Sequence, residues 1–142
     1  MQAIALLARR DFASGELRRR LTERGFAEEA VAAAVAALTE ERALDDARFA
    51  QSYVAYHAGR GQGPVRIGAD LAALGLTAEL IDAALAGGPD WRTLAREVRA
   101  HKFGAQEPES WAERSRQARF LQYRGFSSDH IRLALGSDPG LE

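Results

Sequence analysis

The sequence repeats itself with a period of 50 residues. A glycine followed by a large apolar residue occurs three times in register, as Gly25-Phe26, Gly75-Leu76 and Gly125-Phe126. Other positions also agree in type across the copies: Leu21, Leu71 and Leu121; Val31, Ile81 and Ile131; Ala34, Ala84 and Ala134; Val35, Leu85 and Leu135. A unit of about 50 residues is only marginally stable by itself, because it buries little surface. The period therefore predicts tandem repeats that depend on contacts with their neighbours.

Each copy has the pattern of α-helices, because apolar residues recur at spacings of three and four and no stretch alternates strictly as a strand does. We predict an all-α fold of three tandem three-helix repeats that form an elongated, curved array. The predicted boundaries are 1–44 for the first repeat, whose first helix is short, 45–88 for the second, 89–136 for the third and 137–142 for a flexible tail. The scaling of compact domains gives a row roughly 75 Å long, against roughly 37 Å for a single globule.

The residues between the helices support this division. Gly25, Gly75 and Gly125 are predicted to end a helix in the left-handed backbone conformation, and the next residue, Phe26 in the first copy, is expected to enter the core. Pro64 suits the first turn of a helix. Residues whose side chains can accept hydrogen bonds from a helix start are predicted N-caps: Ser14, Asp45, Asp46, Thr77, Asp90, Ser110 and Ser127.

Composition excludes several classes of function. The chain has no cysteine, so it can form neither a disulfide nor a cysteine-based zinc site, and we expect it to act in the reducing cytoplasm. The longest apolar-leaning run, residues 27–38, contains Glu28 and Glu29 and is too short to span a bilayer, so we expect no membrane partner. His57, His101 and His130 fall in different repeats without metal-ligand spacing, and we predict no metal site.

The segment GRGQGPVRI, Gly59–Ile67, has the glycine content of a phosphate-binding loop. The dinucleotide fingerprint needs glycine at the first, third and sixth places after a strand, but the sixth place is Pro64 counted from Gly59 and Arg66 counted from Gly61. A Walker A loop ends in Gly-Lys-Ser or Gly-Lys-Thr, and that ending is missing here. We therefore predict a flexible joint between two helices, with no nucleotide cofactor and no catalytic residue.

Aromatic and basic side chains are the candidates for contacts with a partner. Aromatic residues can stack on bases, but at helical spacing we interpret them as core: Tyr53, Tyr56, Trp91, Trp111 and Phe120. Two sets of arginines share a helix, namely Arg18, Arg19, Arg20 and Arg24 on one and Arg92, Arg96 and Arg99 on another. Interleaved glutamates such as Glu16, Glu23 and Glu97 indicate solvated, salt-bridged faces. Contacts to phosphate are the alternative for these arginines.

Three segments are similar to the RecX family of regulators of the RecA recombinase: DDARFAQSYV, GRGQGPVRIGADLAALGL and RGF. The resemblance extends from Ala5 to Leu135. The residues that match the opening of the family's second repeat are Asp45, Asp46, Arg48, Phe49, Ala50, Tyr53 and Val54. Those that match its Gly-x-Gly-Pro-x-Arg-Ile joint are Gly61, Gly63, Pro64, Arg66, Ile67 and Leu71. The chain departs from the family at three positions that are usually basic, which are His57, Gly68 and Leu74.

The resemblance implies a small helical regulator, not an enzyme, that lodges along the groove of the RecA nucleoprotein filament. Such a protein suppresses the ATPase, strand-exchange and co-protease activities of RecA, and thereby modulates DNA repair and the SOS response. We expect a monomer that contacts the filament, and single- or double-stranded DNA, through arginines. The predicted contact residues are Arg48, Arg60 and Arg66 in the second repeat and Arg18, Arg19, Arg20 and Arg24 in the first.

A DNA-binding helical protein that acts independently of RecA is the alternative interpretation. The affinity of such a protein for bare duplex would fall steeply with salt, because the phosphates that it binds release counterions. The net charge of −1 counts against a strongly basic DNA-binding surface. For a filament regulator, capping, groove blocking and disassembly all remain open as modes of inhibition.

Overall fold

The computed structural model describes residues 12–41 and 44–136, and within these ranges it contains eight α-helices and no β-strand. The helices are α1 (Ser14–Glu23), α2 (Glu28–Glu40), α3 (Asp46–Gly59), α4 (Pro64–Ala73), α5 (Ala78–Ala86), α6 (Trp91–Phe103), α7 (Trp111–Tyr123) and α8 (Ser128–Leu135). The predicted all-α fold of three tandem three-helix repeats is confirmed. The predicted first helix of the first repeat and the predicted tail lie outside the described residues.

Each repeat has its own hydrophobic core. The first repeat contains α1 and α2 among the described helices, the second contains α3 to α5, and the third contains α6 to α8. The helix pairs in closest contact all lie within one of these repeats. Fully buried side chains include Leu17 in the first core, Leu71 in the second and Leu121 in the third. Trp91 packs against both the second and the third core, and its Nε1 donates to the Leu85 carbonyl at 3.1 Å. The repeats therefore hold together through the contacts between neighbours. We call the contact between the first and second repeats the first seam, and that between the second and third repeats the second seam.

The turns between the second and third helices contain the repeated glycines. Gly25, Gly75 and Gly125 have φ values of 89°, 92° and 95°. This left-handed backbone conformation costs glycine little free energy and costs other residues more. The prediction that these glycines end helices is confirmed. Pro64 also lies in the first turn of α4, as predicted.

Most predicted N-caps are confirmed. The Asp90 carboxylate accepts from the backbone N–H groups of Thr93 and Arg92, and these bonds hold the pKa of Asp90 below its usual value. A side-chain oxygen accepts a backbone N–H in the first turn at four other predicted caps, which are Asp45, Thr77, Ser110 and Ser127.

Three predictions about the first repeat and its junction with the second are wrong. Ser14 does not cap α1, because Ala13 is the N-cap residue. The backbone N–H and the hydroxyl of Ser14 instead donate to the two oxygens of Asp46, at 2.7 and 2.6 Å. Asp46 therefore joins the first repeat to the second, while Asp45 caps α3. Phe26 does not enter the core; its side chain is 43% exposed.

The segment predicted to be a flexible joint is bonded to the third repeat. The N–H of Gly63 donates to the Arg124 carbonyl at 2.8 Å, and the N–H of Val65 donates to the Gly125 carbonyl at 2.9 Å. A Cβ atom on Gly63 would lie 2.5 Å from the carbonyl carbon of Gly125. The prediction of free flexibility is therefore wrong, because this segment forms the second seam.

The core of the third repeat contains a polar pair. Arg99 and Gln117 are 5% and 3% exposed, and Arg99 Nη1 donates to Gln117 Oε1 at 3.2 Å and to the Gln106 carbonyl at 3.0 Å. The corresponding residues one period earlier, Phe49 and Ile67, are buried and apolar. The prediction that Arg99 belongs to a solvated stripe is therefore wrong.

Replacing Gly63 by alanine tests the second seam. We expect Gly63→Ala to lower the free energy of unfolding by about 1–3 kcal/mol, because its Cβ forces apart two packed backbones. Gly59→Ala is the matched control, since a Cβ there has no neighbour within 4 Å; it should be neutral or stabilise by up to about 1 kcal/mol. Urea unfolding monitored by circular dichroism measures both values. Equal effects of the two substitutions would contradict the role of the seam.

A tyrosine–carboxylate hydrogen bond joins α3 to α4. Tyr53 Oη donates to Asp70 Oδ2 at 3.1 Å. Burial, followed by this hydrogen bond and the negative charge of Asp70, raises the pKa of Tyr53 to about 12. The protonated phenol is therefore favoured in the folded state. The raised pKa of Tyr53 contributes fully to stability below about pH 10, which is the pKa of the phenol in the unfolded chain. This contribution is lost as the pH rises through about 12, the pKa in the folded chain.

Tyr53→Phe should lower the free energy of unfolding by about 1 kcal/mol at pH 7, because it removes one hydrogen bond. The difference from the wild-type chain should shrink between pH 10 and pH 12, where the phenol ionises in the unfolded wild-type chain but stays largely protonated in the folded one. Tyr56→Phe is the control, since Tyr56 is 60% exposed, and it should change stability by less than about 0.5 kcal/mol. Urea titrations at neutral and alkaline pH give these differences. A Tyr53→Phe difference that stayed constant above pH 10 would contradict the linkage.

Candidate functional site

The seven arginines predicted to face a partner are all exposed, but they do not form one cluster. Arg18, Arg19 and Arg20 lie on α1, and Arg24 follows its last residue. Arg48 lies in the first turn of α3, and Arg60 follows the opposite end of that helix. Arg66 lies in the first turn of α4, where it borders the second seam. The structure therefore distributes these residues along the first two repeats.

Arg60 alone among them lines a cleft between the second and third repeats. The cleft has a volume of about 500 Å³ and is enclosed by the end of α3, the glycine segment after it, α6 and α7. Lys102 and Arg124 line it together with Arg60, and Glu97 is the acidic residue in its wall. The cleft therefore brings together cationic side chains from both repeats.

Aromatic rings, and not carboxylates, hold these cations. Lys102 Nζ and Arg124 Cζ each lie 5.8 Å from the centre of the Phe120 ring. Arg60 Cζ lies 5.7 Å from the centre of the Tyr56 ring. Among the described residues, none of the three cations has a carboxylate oxygen within 4.0 Å. Because a ring face occupies few N–H donors, most of their donors remain available to an anion.

The glycine segment makes room for Arg124. Gly61 has a φ of 80°, and a Cβ atom on it would lie 3.3 Å from Val98 and 3.5 Å from a guanidinium nitrogen of Arg124. The main chain of Arg124 is held in turn by the N–H of Gly63. Arg124 Nε is buried and has no hydrogen-bond partner in the described chain. In the Gly-x-Gly-Pro motif, Gly61 therefore leaves space for the Arg124 side chain at the cleft, whereas Gly63 allows the close backbone contact at the second seam.

Helix dipoles explain why cations gather here. The helices α3, α6 and α7 end beside the cleft, at Gly59, Phe103 and Tyr123, and each helix C-terminus carries a partial negative charge of about half a unit. These partial charges and Glu97 offset much of the positive charge of Arg60, Lys102 and Arg124. The cleft can therefore bind an anionic group, but weakly and in a way that salt screens.

Sequence reasoning missed two of the three cleft cations. Lys102, the single lysine of the chain, and Arg124 lie in the third repeat, and neither was among the predicted contact residues. Arg124 could have been found from the repeat, since it precedes Gly125 as Arg24 precedes Gly25. Lys102 could not, because its neighbours are set by the packing of α6 against α7.

The aromatic residues divide into two groups. Tyr53, Trp91 and Phe120 are partly buried, in agreement with the interpretation as core. Tyr56 and Trp111 are 60% and 57% exposed, so for these two residues that interpretation is wrong.

Within residues 12–41 and 44–136, no group of three histidine or acidic side chains is placed to hold a metal ion. No helix in the same ranges is long and apolar enough to cross a bilayer.

Three family models match the chain in order. They describe the first, second and third three-helix domains of RecX, and they match residues 1–38, 45–85 and 92–135. The chain is 43% identical to the regulatory protein RecX of Stenotrophomonas maltophilia over 139 residues, which cover 97% of this chain and 85% of that protein. It is 44% identical to the regulatory protein RecX of Pseudomonas fluorescens over 130 residues, 91% of this chain and 84% of that one.

Solved structures share the fold. The crystal structure of RecX from Lactobacillus salivarius superposes with a TM-score of 0.80 at 19% identity, covering 94% of this chain and 89% of that one. A second crystal structure, of a regulatory protein RecX, superposes with a TM-score of 0.78 at 23% identity, covering 94% and 68%.

Proposed function

The chain belongs to the RecX family, and from this premise we propose that it binds the RecA nucleoprotein filament and inhibits the ATPase, strand-exchange and co-protease activities of RecA. It would thereby modulate DNA repair and the SOS response. It acts in the cytoplasm as a monomeric regulator, and it is not an enzyme. The relatives at 43% and 44% identity are named regulatory proteins, which supports a regulatory role.

The observation that carries the proposal is the cleft between the second and third repeats. Its cations have donors left for an anion, and a filament of protein on DNA presents both carboxylates and phosphates. The remaining predicted arginines are exposed on the first two repeats: Arg18, Arg19, Arg20, Arg24, Arg48 and Arg66. A row of repeats that holds the filament at several points would occupy its groove and bridge its subunits. Bridging opposes the subunit movement that turnover requires.

The DNA-dependent ATPase activity of RecA tests the proposal directly. Rising amounts of the protein should lower the rate of ATP hydrolysis. Inhibition at sub-stoichiometric amounts would favour capping of growing ends, whereas inhibition only near saturation would favour groove blocking. An unchanged rate at saturation would refute the proposed function.

Binding to DNA without RecA is the second candidate function, supported by the donors that remain free in the cleft. It predicts measurable affinity for bare duplex that decreases steeply as salt is raised. A filament regulator should leave bare duplex unbound at physiological salt. Anisotropy titrations of labelled DNA, with and without RecA, separate the two.

The double substitution Arg60→Gln and Lys102→Gln should raise the concentration needed for half-inhibition of the RecA ATPase by about tenfold, since one lost charged contact costs about 1.4 kcal/mol or more. The matched control is Arg92→Gln with Arg96→Gln, which removes the same charge from exposed residues of α6 that do not line the cleft. The concentration of the control variant needed for half-inhibition should stay within about twofold of the wild-type value. Equal losses in both variants would mean that net charge matters and the cleft does not.

A further inference from the structure

Backbone hydrogen bonds hold the second seam beside the cleft. The N–H of Gly63 donates to the Arg124 carbonyl at 2.8 Å. The N–H of Val65, two residues later, donates to the Gly125 carbonyl at 2.9 Å. Arg124 thus belongs to the seam through its carbonyl and to the cleft through its side chain. The backbone contact and the cleft are therefore two parts of one junction between the second and third repeats.

The cations of the cleft are divided between these repeats, and each is held by a ring of its own repeat. Arg60 follows α3, and its Nη1 donates to Tyr56 Oη at 3.4 Å. Lys102 and Arg124 both lie against the ring of Phe120 in the third repeat. Among the described residues, no hydrogen bond or ion pair joins the side chain of Arg60 to the third repeat. The cations therefore line the two sides of the cleft without a bond between the sides.

An anion in the cleft would supply the missing connection. Its oxygens would accept from Arg60 on one side and from Lys102 or Arg124 on the other. The two sides are close, since a Cβ atom on Gly61, the residue after Arg60, would lie 3.5 Å from a guanidinium nitrogen of Arg124. A ligand that contacts both repeats binds the closed junction more tightly than an opened one, and it shifts the equilibrium toward the closed state.

We propose that the cleft binds linked phosphate groups and that their binding stabilises the second seam. The inference rests on the proposed function, in which the cleft is an anion-binding site, and it adds what occupancy does to the row. With the cleft empty, the described contacts across the seam are its backbone hydrogen bonds and the packing of Trp91 against both cores. With the cleft filled, the second and third repeats become one stiffer unit.

The spread of the donors favours linked phosphates over a single carboxylate. Two guanidinium groups and one ammonium group offer N–H donors from different directions, whereas a carboxylate presents two oxygens in one plane. Linked phosphates, in a polyphosphate or in a nucleic-acid backbone, present charged oxygens in several directions. Guanidinium pairs with phosphate oxygens bidentately, and ammonium binds phosphate as a point charge. One ligand of this kind can therefore contact both sides of the cleft.

Amide hydrogen exchange measures the seam directly in the free chain. The N–H groups of Gly63 and Val65 exchange when the seam opens, because their acceptors belong to the third repeat. Inorganic tripolyphosphate is the probe, and a chemical-shift titration gives its Kd. At a concentration about ten times the Kd, exchange of both amides should slow about tenfold, since a ligand of the closed seam reduces opening by the factor 1 + [L]/Kd.

Two other amides are internal controls. The N–H of Ser14 donates across the first seam to Asp46 at 2.7 Å, and its exchange should change by less than about twofold because the seams open separately. Gly61 lines the cleft, but its N–H donates to Ala58 within its own repeat at 2.9 Å. The amide of Gly61 should slow less than that of Gly63. Equal slowing at both would mean that the charge of the anion acts locally, and it would overturn the inference.

Variants assign the effect to the cleft. Arg60→Gln with Lys102→Gln should abolish the slowing at the seam amides. Arg92→Gln with Arg96→Gln, which removes the same charge from outside the cleft, should preserve it. Loss of the slowing in both variants would show that net charge binds the probe and would overturn the site.

The coupling must also operate in reverse, because linkage is reciprocal. Gly63→Ala removes no cation, but it disturbs the seam, and it should raise the Kd of tripolyphosphate about fivefold or more. Gly87→Ala is the control, since Gly87 lies outside the cleft and a Cβ there would have its nearest neighbour at 3.5 Å. Its Kd should stay within about twofold of the wild-type value. An unchanged Kd for Gly63→Ala would contradict the coupling.

Two further ligands identify the source of the phosphate. Slowing by tripolyphosphate and by a short single-stranded oligonucleotide would assign the cleft to phosphates of either source, and slowing by one of them alone would assign it to that source. Slowing by neither would overturn the inference. Equal slowing by citrate, a tricarboxylate, would overturn the assignment to phosphate.

Failure of this inference and failure of the proposed function give different results. Seam amides that do not respond in a chain that still inhibits the RecA ATPase would overturn the stabilisation of the seam and leave the proposed function standing. Seam amides that respond in a chain that leaves the RecA ATPase unchanged would refute the proposed function and leave the phosphate site standing.

Discussion

The close approach of two backbones at Gly63 and Gly125 decides how the repeats can be joined. Bare backbone against bare backbone lets N–H groups at the start of α4 reach carbonyls of the next turn, and any side chain at Gly63 would separate them. Each repeat has its own core, so the arrangement of the row depends on such seams more than on a shared interior. The same close contact fixes Arg124, whose side chain then faces the cleft. One steric constraint thus sets both the order of the repeats and the position of a candidate binding group.

The helices were predictable because their signals are local. Apolar spacing, cap residues and turn glycines act over a few residues, and Thr77, Asp90 and Gly75 behave in the structure as their sequence neighbourhoods indicate. The failures concern partners that are distant in sequence. Ser14 has the chemistry of a cap, but a carboxylate 32 residues away takes its donors. Phe26 matches two buried residues one and two periods later, Leu76 and Phe126, yet its side chain is 43% exposed, because burial depends on packing partners that the period does not specify.

The candidate site was predictable only in part for the same reason. Arg60 was singled out beside the glycine segment, and the structure places it in the cleft. Lys102 and Arg124 join it from α6 and from the end of α7, and this meeting is created by the second seam. Arg99, by contrast, was predicted to be solvated but is buried and bonded within the third repeat. Its sequence spacing from Arg92 and Arg96 suggests a solvated stripe, but the structure uses its donors on Gln117 and on the chain between α6 and α7. Residue type alone could not separate a structural arginine from one that is available to a ligand.

On the proposed function the protein touches a polymer at several points, and weak contacts are then sufficient. The helix termini and Glu97 offset much of the charge in the cleft, so a single anion bound there would dissociate readily. The seams hold the cleft and the exposed arginines of the first repeat at a fixed separation. Once one surface is bound, the other meets its partner at a high effective concentration, and the combined affinity exceeds that of either contact. A substitution that loosens a seam should therefore weaken attachment to a filament even though it removes no contacting side chain. In this architecture, rigidity between the repeats is itself a determinant of binding.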